Sequence, residues 1–283
     1  MKINKLILLL LSILIFSCKN RQEKPTENAP KVEAPKEAVV KFQNKGHELV
    51  YNMVQKVGTY QDLLEKRNVT YTYTYTTPDG KTDISTEKYI FKKELSYGMY
   101  TQHERTFPDI KGTIEQGYDG NEYWLKNDKN EYLKDEKLLK TVAFKRPTNF
   151  YWFAMFQKLL DPNLNYEHLG EKEVGEKKYD VVKVSFNADK PTDIYQVYIN
   201  KETSLVDQFL FTVADFGVVE KPFLMQVEHE KIDGMLIPTK RKYKKSDWDA
   251  TNDDQPWITV NWSNIKFTTG LTVYDFKKEK KSL

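Results

Sequence analysis

The chain has 283 residues, of which 30% are charged, 39% hydrophobic and 13% aromatic. That length is enough to bury a full core in one large domain or two small ones. Its 44 Lys and Arg residues against 41 Asp and Glu give a formal charge of +3, which makes no strong field and argues against nucleic acid as a partner. The single cysteine excludes an intramolecular disulfide and a thiolate metal cluster.

The N-terminus has the pattern of a secretory signal. Lys2 and Lys5 precede an apolar run over residues 6–16 that Ser12 alone interrupts. The run is too short to cross a bilayer, which needs about 20 apolar residues as a helix. We therefore expect residues 1–17 to be a cleaved signal peptide, and losing its two lysines leaves the mature chain with a formal charge of +1.

The end of this run resembles the lipobox of bacterial lipoproteins. It reads Ile15, Phe16, Ser17 and Cys18, with an aliphatic residue first and a small residue directly before the cysteine. The resemblance implies that Cys18 carries palmitate or related acyl chains and joins the protein to a membrane. Two or three such chains anchor a protein stably, whereas a single chain does not. The alternative is an ordinary secretory signal that happens to end in cysteine.

The residues after the cysteine bear on location. Lys19, Asn20 and Arg21 include neither the aspartate of inner-membrane retention signals nor the acidic cluster of some surface-export signals. We therefore expect the outer membrane, with the protein facing the periplasm. Residues 18–40 are rich in Lys, Glu and Pro and contain no aromatic residue, which predicts a disordered tether.

Helical and strand patterns alternate along the rest of the chain. Apolar residues at helical spacing over 42–57, followed by Gly58, predict an amphipathic helix that packs against a sheet. From Val69 to Thr76 aromatic and hydroxyl side chains alternate, which predicts a strand. The same reasoning predicts strands at 84–92, 114–118, 122–125, 179–186, 194–199, 205–213, 224–231, 235–243 and 257–267.

One apolar segment, over residues 135–160, interrupts the strands. Pro147 lies in its middle and is expected to divide it into two helices, because proline has no N–H to donate. The second half is apolar almost all round, which predicts burial on most sides. Together the patterns predict an α+β fold with a large curved antiparallel sheet. We expect an incomplete β-barrel of about ten or eleven strands, with the N-terminal helix and the helical insertion covering its concave side.

The order of these elements resembles the LolA/LolB-like superfamily of periplasmic lipoprotein carriers and its lipoprotein relatives. Three phrases look like that superfamily: Tyr118 to Trp124 with its Asp-Gly turn, the strand–turn–strand segment at 195–206, and Ile232 to Pro238. The resemblance implies a half-barrel domain over residues 41–276, with a charged tail at 277–283. It also implies a cavity between half-barrel and helices that holds acyl chains.

Aromatic side chains are the candidates for lining such a cavity. They share a large apolar ring and a position on a predicted strand or on the helical insertion. The candidate ligand-binding residues are Tyr71, Tyr73, Tyr75, Trp124, Phe153, Phe156, Phe209 and Phe211. For each of them taken singly, a place in the core is the alternative.

The sequence shows no catalytic motif, so we expect a binding protein rather than an enzyme, without a cofactor. The four histidines lie in different elements and lack metal-ligand spacing. His103 is either a site residue or part of a surface cluster. The acidic stretch at 247–254 does not follow a calcium-loop spacing, so we predict a solvated loop and no metal site. The basic run at 240–245 either meets lipid headgroups or blunts an edge strand.

Two functions stay open from the sequence. The first is a membrane-anchored periplasmic lipoprotein that binds or carries an acyl chain, a lipid or another apolar ligand in a half-barrel cavity. The second is a structural or assembly lipoprotein of the cell envelope that acts through contact with another envelope protein.

Overall fold

The structure, a computed structural model, describes residues 40–189, 192–251 and 254–278. The predicted signal peptide, Cys18 and all but the last residue of the predicted tether lie outside these residues. A compact unit of the chain begins at Phe42.

One open antiparallel sheet of twelve strands dominates the described residues. The strands are β1 (Asn68–Thr76), β2 (Thr82–Ile90), β3 (Leu95–His103), β4 (Ile114–Tyr118), β5 (Tyr123–Asn127), β6 (Leu164–Val174), β7 (Lys177–Phe186), β8 (Ile194–Asn200), β9 (Val206–Val213), β10 (Val218–Ile232), β11 (Met235–Lys245) and β12 (Ile258–Phe267). Their order across the sheet is β5-β4-β3-β2-β1-β12-β11-β10-β9-β8-β7-β6. Two meanders therefore meet where β1 pairs with β12, and β5 and β6 are edges, so the sheet does not close.

Three α-helices lie within the described residues: α1 (Lys45–Val57), α2 (Tyr60–Lys66) and α3 (Glu136–Lys158). The side chain of Asn44 caps α1 by accepting a hydrogen bond from a backbone N–H in its first turn. Gly58 ends α1 with φ of 104°, a conformation that glycine adopts without a side-chain clash. The predicted first helix is thereby confirmed, and its buried side packs against β6, β7 and α3.

Helix α3 joins the two edges of the sheet. It follows β5 and precedes β6, so it crosses one face of the sheet, called here the covered face. Val142 packs with residues of β3 to β5, Phe150 and Phe153 with the central strands, and Met155 and Phe156 with β8 to β10 and α1. Because one helix enters all three clusters, the covering helical insertion predicted from the sequence is confirmed.

Pro147 does not divide this helix, and the prediction of two helices is wrong. Helix α3 is continuous from Glu136 to Lys158 with Pro147 inside it. A proline in a helix interior costs about 3 kcal/mol. Burial of apolar residues on both sides of it offsets that cost. Two carbonyls next to the proline also accept from hydroxyls, that of Phe144 from Thr148 at 2.6 Å and that of Arg146 from Ser96 at 3.1 Å.

The α+β class and the open sheet are confirmed, and the strand number is twelve in the described residues. Strands β3 and β6 lack a sequence signal for different reasons. Strand β3 is buried on both faces over its first four residues, so polarity does not alternate there, and β6 is a charged edge strand. The basic run at 240–245 does not blunt an edge, because it belongs to β11, which pairs with β10 and β12.

Candidate functional site

A cavity of about 350 Å³ lies between α3 and the central strands of the sheet. Its volume falls in the range of roughly 300–1,000 Å³ that is usual for small-molecule sites. Aromatic rings dominate the wall that the sheet provides. They belong to Tyr71, Tyr73, Tyr75, Phe211, Phe223, Tyr243 and Trp262. The helix contributes the opposite wall through Phe144, Lys145, Thr148, Asn149 and Trp152.

Four of the eight candidate residues lie in this wall: Tyr71, Tyr73, Tyr75 and Phe211. The three tyrosines share one face because side chains alternate along β1, and the pairing of β1 with β12 sets Tyr73 opposite Trp262. The period-two pattern of the sequence thus brings them together on the covered face. Phe211 reaches the same space from β9, on the other side of β10 to β12.

The other four candidates lie elsewhere. Phe156 and Phe209 border a separate crevice of about 10 Å³, which is hardly enough for one water molecule. Phe153 lies in the core, with its ring centroid 5.2 Å from that of Trp262. Trp124 belongs to a different hydrophobic cluster, where its indole N–H donates to the carbonyl of Phe276 at 2.9 Å.

The cavity wall also contains charged residues that the sequence analysis did not select. Arg241 is 5% exposed and its guanidinium carbon lies 3.4 Å from the ring centroid of Trp262. Its Nε donates to the carbonyl of Pro238 at 3.0 Å and its Nη2 to that of Trp152 at 3.1 Å. Burial lowers the pKa of the Arg241 guanidinium, which is nevertheless too basic to lose its proton at neutral pH. One sequence signal could have identified Arg241 as a cavity residue: the alternation along β11, which puts Arg241 and Tyr243 on one face.

Arg105 extends over the cavity from the loop that follows β3. Its guanidinium carbon lies 3.8 Å from the ring centroid of Tyr75, and its Nε lies 3.3 Å from Oδ2 of Asp83. The Asp83 side chain is fully buried and also accepts hydrogen bonds from the backbone N–H groups of Arg105 and Thr106. The loop is therefore fastened to the sheet by a carboxylate that the arginine partly neutralises.

Lys145 is the third cation at the cavity. Burial lowers the pKa of its amine to about 7, and the nearby Arg105 pushes the pKa in the same direction. Asp83 and Glu87 act against that shift without lying within ion-pair distance. At neutral pH the amine of Lys145 is therefore close to the midpoint of its titration.

A buried ion pair between Arg146 and Glu87 lies behind the cavity. Both side chains are 0% exposed, and Nη1 of Arg146 lies 2.9 Å from Oε2 of Glu87. The hydroxyls of Ser85 and Tyr89 donate to the same carboxylate, and the Tyr89 and Tyr71 hydroxyls are 2.9 Å apart. Through this chain of hydrogen bonds the buried ion pair fixes the position of a cavity-wall tyrosine.

An exposed aromatic residue lies at the border of the cavity. Phe216 is 66% exposed on a single helical turn after β9, and its ring lies 4.6 Å from that of Phe144 on α3. A wider groove of about 640 Å³ shares Phe144 with the cavity and includes the carboxylates of Asp193 and Asp215. The cavity and this groove thus adjoin along the same helix.

The histidines take structural positions. His103 is buried and its two ring nitrogens bond to the carbonyls of Phe107 and Gly112, so it lies neither in the cavity nor in a surface cluster. Burial lowers the pKa of His229, whose ring stacks on Phe156, to about 4. Among the described residues no group of three or more His, Cys, Asp or Glu is arranged to hold a metal ion. None of the helices described has both the length and the apolar character needed to span a membrane.

Comparison with known proteins gives likeness of fold only. No family model and no curated protein matches the sequence. A domain from Vibrio parahaemolyticus, described as an outer membrane lipoprotein-sorting protein domain, is similar at 11% identity with a TM-score of 0.49, over 83% of this chain and 97% of that one. A DUF1329 family protein from Desulfovibrio piger is similar at 16% identity with a TM-score of 0.48, over 82% and 95%. A LolA superfamily protein from Nitrosomonas europaea is similar at 13% identity with a TM-score of 0.44, over 78% and 98%.

These likenesses, all below 25% identity, concern the fold alone. The half-barrel arrangement itself follows from the strand order and from the course of α3. Any function has to be argued from the cavity.

Proposed function

We propose that the protein is a lipid-anchored envelope protein that binds or carries a hydrophobic ligand in the cavity between α3 and the sheet. The ligand class is an acyl chain or a lipid. The observation that carries the proposal is the cavity of about 350 Å³ with its mostly aromatic and aliphatic wall. Protein interiors pack as densely as organic crystals, with few voids larger than a water molecule, so an apolar space of this size is typical of a ligand site.

The position of the protein in the cell is part of the same proposal. Acylation of Cys18 anchors the chain, and residues 18–40 act as a tether for the half-barrel domain. The residues after Cys18 favour the outer membrane and its periplasmic face. A carrier of acyl chains would there face the compartment through which envelope lipids pass.

The proposal is tested by filling the cavity from the helix side. The protein is produced without detergent as residues 19–283, a chain that contains every residue of the described fold. Thr148 lines the cavity, so Thr148→Trp places a large ring in it. We expect the unsubstituted chain to retain lipid in native mass spectrometry and to take up a fluorescent fatty acid. We expect Thr148→Trp to lower that uptake about tenfold or more, because the space is occupied.

Thr141 provides the matched control. It lies two turns earlier on α3, and its hydroxyl donates to the carbonyl four residues before it, as that of Thr148 does. It does not line the cavity, so Thr141→Trp should leave uptake unchanged. Absence of both bound lipid and fatty-acid uptake in the unsubstituted chain would contradict the proposal. A stoichiometric cross-linked envelope protein in that case would support the assembly function instead.

A further inference from the structure

The charges at the cavity are of one sign. Of the described residues, three with cationic side chains line it, namely Arg105, Lys145 and Arg241, and no carboxylate does. Burying a cation without a partner costs free energy. A cavity for a wholly apolar ligand would gain nothing from that cost. The cations therefore point to a ligand with a polar end.

The two fully buried carboxylates beside the cavity, those of Asp83 and Glu87, are already engaged. Asp83 lies 3.3 Å from Nε of Arg105, and the carboxylate of the buried ion pair is held by its own arginine and two hydroxyls. No carboxylate of the described residues lies within ion-pair distance of Lys145 or Arg241. The guanidinium of Arg241, and the amine of Lys145 when it is protonated, are thus without a negative counterpart in the described fold.

Arg241 is held rigidly and still has hydrogen-bonding capacity. Two backbone carbonyls accept from it, whereas a guanidinium has five N–H groups. The guanidinium carbon also lies 3.4 Å from the centroid of the Trp262 ring, a cation–π contact that restricts its position. A guanidinium held in this way is suited to pair with a carboxylate or a phosphate.

Two neutral hydrogen-bond donors in the cavity wall also lack a partner. The side-chain amide nitrogen of Asn149 and the indole nitrogen of Trp262 are buried, and neither has a hydrogen-bond acceptor among the described residues. Both residues line the cavity. A buried donor without a partner destabilises the fold. A ligand group with several acceptor oxygens and a negative charge would satisfy both these donors and the cations.

We propose that the cavity takes a single-chain anionic amphiphile whose headgroup, a carboxylate or a phosphate, lies against Lys145 and Arg241. Its apolar chain lies along the aromatic wall that includes Tyr71 and Tyr75. This inference rests on the proposed function, because it assigns the polar end of the same ligand. It predicts selectivity by headgroup charge at constant chain length.

The test compares four ligands with the same dodecyl chain, each below its micellar concentration, by calorimetry at pH 7 with residues 19–283. They are dodecanoate, dodecyl phosphate, dodecanol and dodecylammonium. We expect the two anions to bind about tenfold or more tightly than dodecanol, because charge-assisted hydrogen bonds are stronger than neutral ones. Dodecylammonium should bind most weakly. Acetate and inorganic phosphate, which lack the chain, should not bind measurably.

Variants on α3 test whether the selectivity for headgroup charge arises in the cavity. Lys145→Met should weaken dodecanoate binding about tenfold and should not weaken dodecanol binding. Lys140→Met, on the exposed side of the same helix, should change neither. Equal affinity for dodecanoate and dodecanol would contradict the proposal of an anionic headgroup but not the proposed function. Failure of all four ligands to bind would overturn both. If acetate or phosphate bound as tightly as the dodecyl anions, the apolar chain would not contribute, and the proposal of an amphiphilic ligand would be wrong.

Discussion

Lys145 lies where the apolar cavity meets the buried charges of the sheet. Burial lowers the pKa of its amine to about 7, with Arg105 and Arg146 acting in the same direction and Asp83 and Glu87 against it. In the unfolded chain the amine has its ordinary pKa of 10.5. Between these two pH values the unfolded chain therefore holds a proton that the folded chain has released. The stability that this group contributes rises with pH across that interval, and its destabilising effect is full below pH 7.

Replacing Lys145 by methionine should remove that pH dependence. We expect Lys145→Met to raise the free energy of unfolding at pH 6 by on the order of 2 kcal/mol, because a neutral side chain of similar length replaces a charge in the cavity wall. The gain should shrink towards zero as the pH approaches 10.5. Urea unfolding of both chains at several pH values measures it. Lys140→Met is the control, since that side chain is 77% exposed and should shift stability by less than about 0.5 kcal/mol. A gain that does not change with pH would contradict the assignment.

Helix α3 connects the clusters of the core, and Phe153 is its most central aromatic residue. The Phe153 ring lies within 6.2 Å, centroid to centroid, of the rings of Tyr71, Tyr89, Phe91, Trp262 and Phe267. We expect Phe153→Ala to lower the free energy of unfolding by about 3–5 kcal/mol, because the neighbouring rings are held on β1, β2, β12 and the turn after β2 and cannot collapse onto the space. Chemical denaturation measures the loss. Phe216→Ala, at a side chain 66% exposed, should cost less than about 1 kcal/mol. If Phe153→Ala lowered the free energy of unfolding as little as Phe216→Ala, α3 would not hold the sheet together.

The same helix shows what sequence patterns predict and where they stop. Period-two alternation in β1 is a local property, so it correctly groups Tyr71, Tyr73 and Tyr75 on one face. It says nothing about which strands lie under the helix, so it cannot separate Trp124, in another cluster, from the residues of the cavity wall. Arg241 lies in a basic run, and only the long-range packing of β11 against α3 makes one of those charges a buried cavity residue. The continuity of α3 through Pro147 is likewise decided by packing that the local sequence does not contain.

At the scale of the whole molecule, the sheet is built from two meanders that meet at one strand pair, β1 with β12. Strands β1 to β5 run one way from it and β12 to β6 the other, so the chain returns from β5 to β6 only through α3. The cavity lies under this connection and takes residues from both meanders, including Tyr73 of β1 and Phe211 of β9. Any ligand that enters it contacts both halves of the fold. Ligand binding is therefore expected to stabilise the domain as one cooperative unit.

The remaining prediction concerns how the molecule is attached to the membrane. In the full chain, Cys18→Ser should move the protein from the membrane fraction to the soluble fraction, because an acylated cysteine is the proposed anchor. Ser17→Ala keeps a small residue before the cysteine and should leave the protein in the membrane fraction. Fractionation in high salt and intact mass of the mature protein measure the two outcomes, and the unsubstituted protein should be heavier than residues 18–283 by two or three acyl chains. A mature protein with the mass of the bare polypeptide would instead identify an ordinary secretory signal. The half-barrel should fold in either variant, since the compact unit begins at Phe42, beyond both substitutions.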